Sequence, residues 1–324
     1  RKVRQNTSTG QLQTYFDVPS LFSLRIIILA MKRLESFLIC LSLLFLLSAR
    51  EMCRAYTPAS ILTARPHDAE AIYFTSQDFP ITSDGSTDVS DALQEALNRA
   101  KQKENGCGIL FVPEGTYKLS KTIYVPSGVR LIGYGSKRPV FVLAKQSPGF
   151  QEVTRETAKG KYLFWFIGGS YHPERRVGDA NAGTFYSSMM NIDIRIEDGN
   201  PNATAIRAHF AQHCSISSVA IHVGNGRTGI ADAGNHLENI AIYGGEYGID
   251  TNKSAPGWPI MLLNSYFEKQ RSSAILTNEG GLTIVRMQVK NVPVAIEIKD
   301  KVAIGNGMTG KYHFKFENYQ AFLD

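Results

Sequence analysis

Asp193, Glu197, Asp198, Glu246, Glu268 and Glu279 recur on or beside turns of a stretch that repeats itself, and carboxylates so placed can do proton-transfer chemistry. Cleavage of a glycosidic bond with inversion needs one protonated carboxyl and one carboxylate about 6.5–9.5 Å apart, with a water between them. Layers of stacked β-structure lie about 4.8 Å apart, so carboxylates two layers apart would reach that separation. Residue type alone marks no pair, and each of the six also fits a solvated turn. Glu246 and Glu268 are carried forward as catalytic candidates. A second set, Tyr171-His172 at the head of Tyr171-His172-Pro173-Glu174-Arg175-Arg176, offers aromatic and charged groups that suit stacking on a sugar ring as well as plain coverage of a flank.

Two interleaved series would position these groups. Ala205-Ile206, Gly229-Ile230, Gly248-Ile249, Ala274-Ile275 and Ala295-Ile296 place an isoleucine behind a small residue at spacings of 24, 19, 26 and 21. The longer runs Ile192-Asp193-Ile194, Val219-Ala220-Ile221, Ile240-Ala241-Ile242, Ser265-Tyr266-Phe267 and Met287-Gln288-Val289 keep the same beat. A period near two dozen residues without helical patterning predicts a solenoid whose coils stack on one another. Leucine-rich repeats share the period but need an L-x-x-L-x-L series that is missing here. The fold expected is all-β, a single-stranded right-handed parallel β-helix with Ile and Val stacked inside.

Ahead of the repeats, Val89, Ala92, Leu93, Ala96, Leu97 and Ala100 recur at helical spacing, and Asp84-Gly85-Ser86-Thr87-Asp88 reads as their polar cap. Such a helix would close the first coil, whose strand edge would otherwise be bare. Strands are expected within Gly108–Tyr117, Lys121–Pro126 and Val129–Gly133. Gly133 and Gly135 are better explained by a turn than by a phosphate loop. From Ser147 to Gly183 the rhythm breaks, and an inserted loop is expected there, with Tyr162-Leu163-Phe164-Trp165-Phe166 inside it. Near the end, Tyr312–Glu317 alternates like one more strand with no capping pattern after it, as in a chain cut short.

The chain has 324 residues and a formal charge of +6. Residues 1–55 hold eight Lys or Arg against three Asp or Glu, which leaves 27 against 26 in the rest. The basic excess belongs to the leader, so no phosphate-backbone footprint, and hence no nucleic-acid partner, is expected. Met31-Lys32-Arg33, the apolar run Phe37 to Leu47, and Ala49 and Ala55 have the three parts of a secretory signal peptide. The reading is residues 1–55 as upstream extension and signal peptide and 56–324 as β-helix, secreted, with no stable membrane anchor after cleavage; a retained anchor is the alternative. Cys40, Cys53, Cys107 and Cys214 show neither a disulfide framework nor zinc spacing, and no metal or cofactor is implied. Asn202-Ala203-Thr204 and Asn252-Lys253-Ser254 are acceptor sequons.

Asp84-Gly85-Ser86-Thr87-Asp88, Ala92-Leu93-Gln94, Val112-Pro113-Glu114-Gly115-Thr116-Tyr117 and Val125-Pro126-Ser127-Gly128-Val129-Arg130-Leu131-Ile132-Gly133-Tyr134-Gly135 together resemble the opening of the pectate-lyase-like superfamily. More narrowly, Ala211-Gln212-His213-Cys214-Ser215-Ile216 and Ala233-Gly234-Asn235-His236-Leu237-Glu238-Asn239-Ile240 are similar to the first β-helix of glycoside hydrolase family 55, the β-1,3-glucanases. The resemblance implies that Gln212 helps hold an attacking water, with His213 beside it toward the substrate. It also implies a second β-helix in the full-length chain, bearing most of the catalytic carboxylates. The sequence departs from the family at Ala233, where a water-holding serine is expected.

The function expected is therefore that of a polysaccharide-acting module, the N-terminal half of an enzyme cleaving β-1,3-glucan or a related glycan. A non-catalytic carbohydrate-binding or tailspike-like β-helix, or a pectin-type lyase, is the alternative. Asn-Thr-Asp, Gly-His-Gly and Arg-Ile-Lys elements of polygalacturonases do not occur in the sequence.

Overall fold

The structure is a computed structural model that describes residues 31–42, 56–103, 108–152, 160–252, 260–279, 282–304 and 308–310, with side chains given as far as residue 299, Glu279 excepted. The chain divides into two units, Arg1–Arg54 and Ala55–Asp324. In the first, residues 31–42 form an exposed helix. Among the described residues no helix is long and apolar enough to cross a membrane. The expected strand at Tyr312–Glu317, together with Cys53 and Cys107, lies outside the described residues.

The second unit is a right-handed parallel β-helix. Its long sheet has eleven strands, with Ile72–Tyr73, Ile109–Pro113, Arg130–Tyr134, Ser188–Ile196, Ser215–Gly224, His236–Gly244, Met261–Glu268 and Thr283–Lys290 following one another as neighbours. The opposing sheet runs Ile123–Val125, Lys161–Phe166, Ala203–Arg207, Thr228–Ala231, Tyr247–Thr251, Ser273–Glu279 and Val294–Ile304, with Met308–Gly310 pairing antiparallel at its end. Register confirms the repeat: Ile206, Ile230, Ile249, Ile275 and Ile296 are successive Cα partners, and the column extends backward through Phe164 to Ile123. Opposite them, Ile192, Val219, Ile240, Ser265 and Met287 form one rank, and Ile194, Ile221, Ile242, Phe267 and Val289 another. β-Branched side chains at every second position suit this arrangement, because the pleat turns them all inward.

The expected inserted loop is corrected in part. Lys161–Phe166 is a full strand of the opposing sheet, and Leu163, Phe164 and Phe166 are wholly buried. Its outward residues, Tyr162 and Trp165, are large aromatics like the apolar ones that fill the core, so the run has no polar–apolar alternation to announce it.

The polar stretch before the helix is also corrected. Asp84–Asp88 is a strand paired with Thr116–Leu119, and the helix Ser90–Lys101 starts after Val89, which makes no side-chain cap. Asp88 instead accepts hydrogen bonds from the Ser90 amide and hydroxyl at 2.9 and 2.5 Å. The helix does close the first coil. Gln94 donates from Nε2 to the Tyr124 carbonyl at 2.9 Å and accepts the Tyr124 amide at 2.8 Å, so one side chain stands in for a neighbouring strand.

The five long-sheet strands from Ser188–Ile196 to Thr283–Lys290 each bend at a left-handed residue, with Asn191, Ser218, Asn239, Asn264 and Arg286 holding that corner at φ of 52–58°. Among residues with a side chain, Asn is one of those that tolerate this conformation best. Gly133 packs under the corner, where a Cβ would lie 2.1 Å from the Asn191 carbonyl; close approach, and not phosphate binding, explains it. The segment from Tyr56 to Leu62 crosses the outside of the bend: Asn239 binds both the amide and the carbonyl of Thr57, Asn191 accepts the Ile61 amide, and Arg138 donates to the Thr57 and Ala59 carbonyls.

Cys214 is buried, and burial pushes its thiol up to about 11; its sulfur accepts the Ser187 amide at 3.3 Å and donates to the Thr184 carbonyl at 3.2 Å. Asn202 is buried, with its amide nitrogen donating to the Glu152 carbonyl, and is not an accessible glycosylation acceptor.

Candidate functional site

On the outside of the opposing sheet, Tyr124, Trp165 and Arg207 are register partners on three adjacent strands. Alternation fixes their direction, since Ile123, Phe164 and Ile206 next to them fill the core. Tyr162, also outward, sets its ring 5.3 Å from Trp165, and Tyr124 lies 5.7 Å from Trp165 on the other side. These rings line an open groove of about 640 Å³, with Lys161, Arg176 and Asp179 at its polar edge.

Asp179 reaches the groove because the loop after Phe166 folds back on itself, bridging Ile167 to Asp179 and pairing the Gly168 amide with the Gly178 carbonyl. Its Oδ1 then accepts from Trp165 Nε1 at 2.7 Å and Arg207 Nε at 2.9 Å. Oδ2 accepts from an Arg207 terminal nitrogen at 2.6 Å and lies 3.1 Å from His209 Nδ1. The other terminal nitrogen of Arg207 donates to Asp232 and, at 3.1 Å, to the Tyr162 hydroxyl. Asn252 donates to the second Asp232 oxygen at 3.2 Å.

Burial disfavours the charge on Asp179, but the hydrogen bonds from His209 and Arg207 outweigh it and hold the carboxyl well below the usual range. Burial likewise opposes the Arg207 charge, and Asp179 and Asp232 overcome it and raise its pKa further. Burial raises the Tyr162 phenol. A carboxylate held this way is a poor proton donor and a weak base near neutrality. The arrangement can stack a ring on Trp165 and Tyr162 and offer its edge fixed donors and acceptors, as binding sites for small polar rings do.

The residues named from sequence fall at several places. Tyr171 stacks on Tyr124, with ring centroids 4.6 Å apart and planes within 10°, at the border of the groove. His172 lines a smaller hollow that shares Arg176 and Val177 with it. Gln212 sits half-buried on the turn before Ser215–Gly224, its Oε1 enclosed and without a hydrogen-bond partner. His213, exposed and at φ 60°, stacks on Tyr186 at 5.1 Å. Ala233 is 1 % exposed and packs in the core.

Glu246 occupies the tight turn between His236–Gly244 and Tyr247–Thr251, with its amide on the Arg227 carbonyl at 2.7 Å. Glu268 ends its long-sheet strand, accepting from Tyr266 at 3.0 Å and lying 3.3 Å from Lys290. The Glu268 environment opposes itself: burial raises its carboxyl, and the bonds from Tyr266 and Lys290 lower it below the usual value. Among the described residues no group of three or more His, Cys, Asp or Glu is placed to hold a metal ion. Sequence reading placed Tyr162 and Trp165 inside an inserted loop and did not bring Asp179, Arg207 and Asp232 to them.

A stretch of 52 residues, 16% of this chain and 6% of the relative, is 42% identical to a glucan 1,3-beta-glucosidase of Cochliobolus carbonum. Among solved structures, ORF18 of Geobacillus virus E2 is 16% identical with a TM-score of 0.40, over 68% of this chain and 41% of that one. The catalytic domain of a family-87 alpha-1,3-glucanase in complex with nigerose is 13% identical with a TM-score of 0.44, over 73% of this chain and 38% of that one. The matched part of this chain thus spans about two fifths of those two proteins and a far smaller share of the glucosidase. The sequence model described as Rhamnogalacturonase A/epimerase, pectate lyase-like covers residues 74–297, from just after the strand Ile72–Tyr73 to the last coil of the isoleucine column, and the chain belongs to that family.

Proposed function

We propose that this β-helix is the N-terminal part of a secreted glycoside hydrolase and that it holds a polysaccharide along the aromatic groove of its opposing sheet. The single observation that carries the reading is the outward set Tyr124, Trp165 and Tyr162, closed at one edge by the paired Asp179 and Arg207. Family membership supports a glycan as the ligand. The short resemblance to a glucan 1,3-beta-glucosidase favours a β-1,3-glucan. In this reading Gln212 positions the attacking water, Glu246 and Glu268 are the candidate carboxyls, and His213, Tyr171 and His172 touch the substrate.

Two substitutions in the full-length protein test it. Trp165→Ala should raise KM for laminarin about 10-fold with little change in kcat, because it removes a stacking surface. Gln212→Ala should lower hydrolysis about 10-fold or more, equivalent to about 1.4 kcal/mol of transition-state stabilisation, with the folded fraction unchanged. No release of reducing ends from laminarin by the full-length protein would sink the hydrolase reading, and unchanged kinetics in both variants would overturn the roles given to Trp165 and Gln212.

The second reading, a non-catalytic sugar-binding module, is favoured by the Asp179 carboxylate, which Arg207 and His209 keep ionised and so unable to donate a proton. It predicts glycan binding by the full-length protein without any release of reducing ends.

A further inference from the structure

We propose that Phe185 and Tyr186 form a second stacking platform for the glycan, on the turns that join the two sheets beside Gln212. The proposal rests on the reading of the chain as polysaccharide-acting, but neither ring belongs to the groove on the opposing sheet. Two turns are zipped together here. The Ala211 amide donates to the Thr184 carbonyl at 2.9 Å, the Cys214 thiol donates to the same oxygen at 3.2 Å, and the Ser187 amide returns to the Cys214 sulfur at 3.3 Å. Tyr186, between Thr184 and Ser187, is thereby held against His213, with ring centroids 5.1 Å apart and planes within 10°. His213 covers one face of Tyr186 and leaves the other open. The Phe185 ring, 6.4 Å away and tilted by 54°, is too distant to cover it, and Tyr186 remains 45% exposed and Phe185 38% exposed.

The backbone points the same way. Tyr186, His213 and Asn235 precede three successive long-sheet strands, and all three are left-handed, with φ of 61°, 60° and 57°. Asn235 suits that conformation, because its side chain donates to the Phe210 and Ala211 carbonyls. A tyrosine or histidine at the same corner costs more, with no such side-chain bond to offset it among the described residues. Strain retained for the sake of exposed rings points to binding and not to packing. At the same turn the Gln212 Oε1 is an enclosed acceptor without a partner among the described residues, an exception that native structures keep at few places. An open ring face edged by the Tyr186 hydroxyl and the His213 imidazole suits a sugar, whose C–H side lies on the ring while its hydroxyls meet the polar edge. Both turns start at the polar edge of the groove, one after Arg207 and His209 and the other after Asp179, so a glycan that continues from Trp165 past these residues meets the platform.

The test is affinity electrophoresis of the full chain and its Tyr186→Asn, Phe185→Ala and Trp165→Ala variants in native gels containing laminarin, polygalacturonate or ι-carrageenan, with a urea unfolding midpoint for each protein. The expected result is retardation by at least one polysaccharide and a roughly 3- to 10-fold loss of affinity in each platform variant, the range that one aromatic contact supplies. The Tyr186→Asn midpoint should equal or exceed that of the parent protein, because Asn accepts the left-handed backbone. Retardation that both platform variants leave undiminished overturns the platform, and if it then depends on Trp165 the groove reading survives alone. Affinity lost only together with a lowered midpoint also overturns it, since the rings then serve packing. No retardation in any gel overturns both.

Discussion

Arg207 grips Asp179 with two nitrogens, Nε on one carboxylate oxygen at 2.9 Å and a terminal nitrogen on the other at 2.6 Å, although 28 residues separate them in the chain. The fork also reaches Asp232, so one cation neutralises two carboxylates on the outside of the opposing sheet. Planar bidentate pairing suits arginine and would not survive replacement by lysine.

Removing that cation leaves Asp179 and a nearly enclosed Asp232 without their shared guanidinium, on neutral hydrogen-bond donors and the His209 ring. Arg207→Met should destabilise the β-helix by about 3 kcal/mol, the lower end for a broken buried pair because Asp179 is partly solvated. Urea unfolding measures it, and a loss under about 1 kcal/mol would mean that water screens the triad.

The pH dependence has a definite sign. The Asp179 carboxyl is depressed in the folded state, against an unfolded value of about 3.9, so its contribution is complete above that value and is lost as pH falls through it toward the folded value. Asp179→Asn should therefore cost most stability near pH 6–7, and the gap from the parent protein should shrink below about pH 4. A gap that stays constant from pH 7 to pH 3 would contradict the assignment.

At the closed end, Gln94→Ala strips the Tyr124 amide and carbonyl of their partners. The expected cost is about 1–3 kcal/mol for the unsatisfied groups, with faster hydrogen exchange at the Tyr124 amide. Exchange as slow as in the parent protein would show that the helix closes that edge without Gln94.

In the core, Ile249 lies between Ile230 and Ile275 and is 2 % exposed. Ile249→Ala should cost roughly 2–5 kcal/mol in urea unfolding, as truncations in packed cores do. A loss below about 0.5 kcal/mol would mean that the neighbouring coils collapse into the gap.

The sequence by itself determined the coil. Ile206, Ile230, Ile249, Ile275 and Ile296 repeat behind small residues because each inward position must match the one stacked on it, and that local demand is written once per turn. The capping helix was legible for the same reason, its apolar residues returning at helical spacing. Lys161–Phe166 was not, because its outward Tyr162 and Trp165 are aromatic and leave no polar–apolar alternation, and neither was the left-handed corner, which Asn, Ser and Arg all occupy. Tertiary structure alone decided the site. Asp179, Arg207 and Asp232 come from separate strands and a folded-back loop, and Trp165 and Tyr162 face outward through a register that no local pattern encodes. Stacking brings such residues within hydrogen-bond reach, whereas spacing along the chain scatters them over more than fifty positions from Asp179 to Asp232.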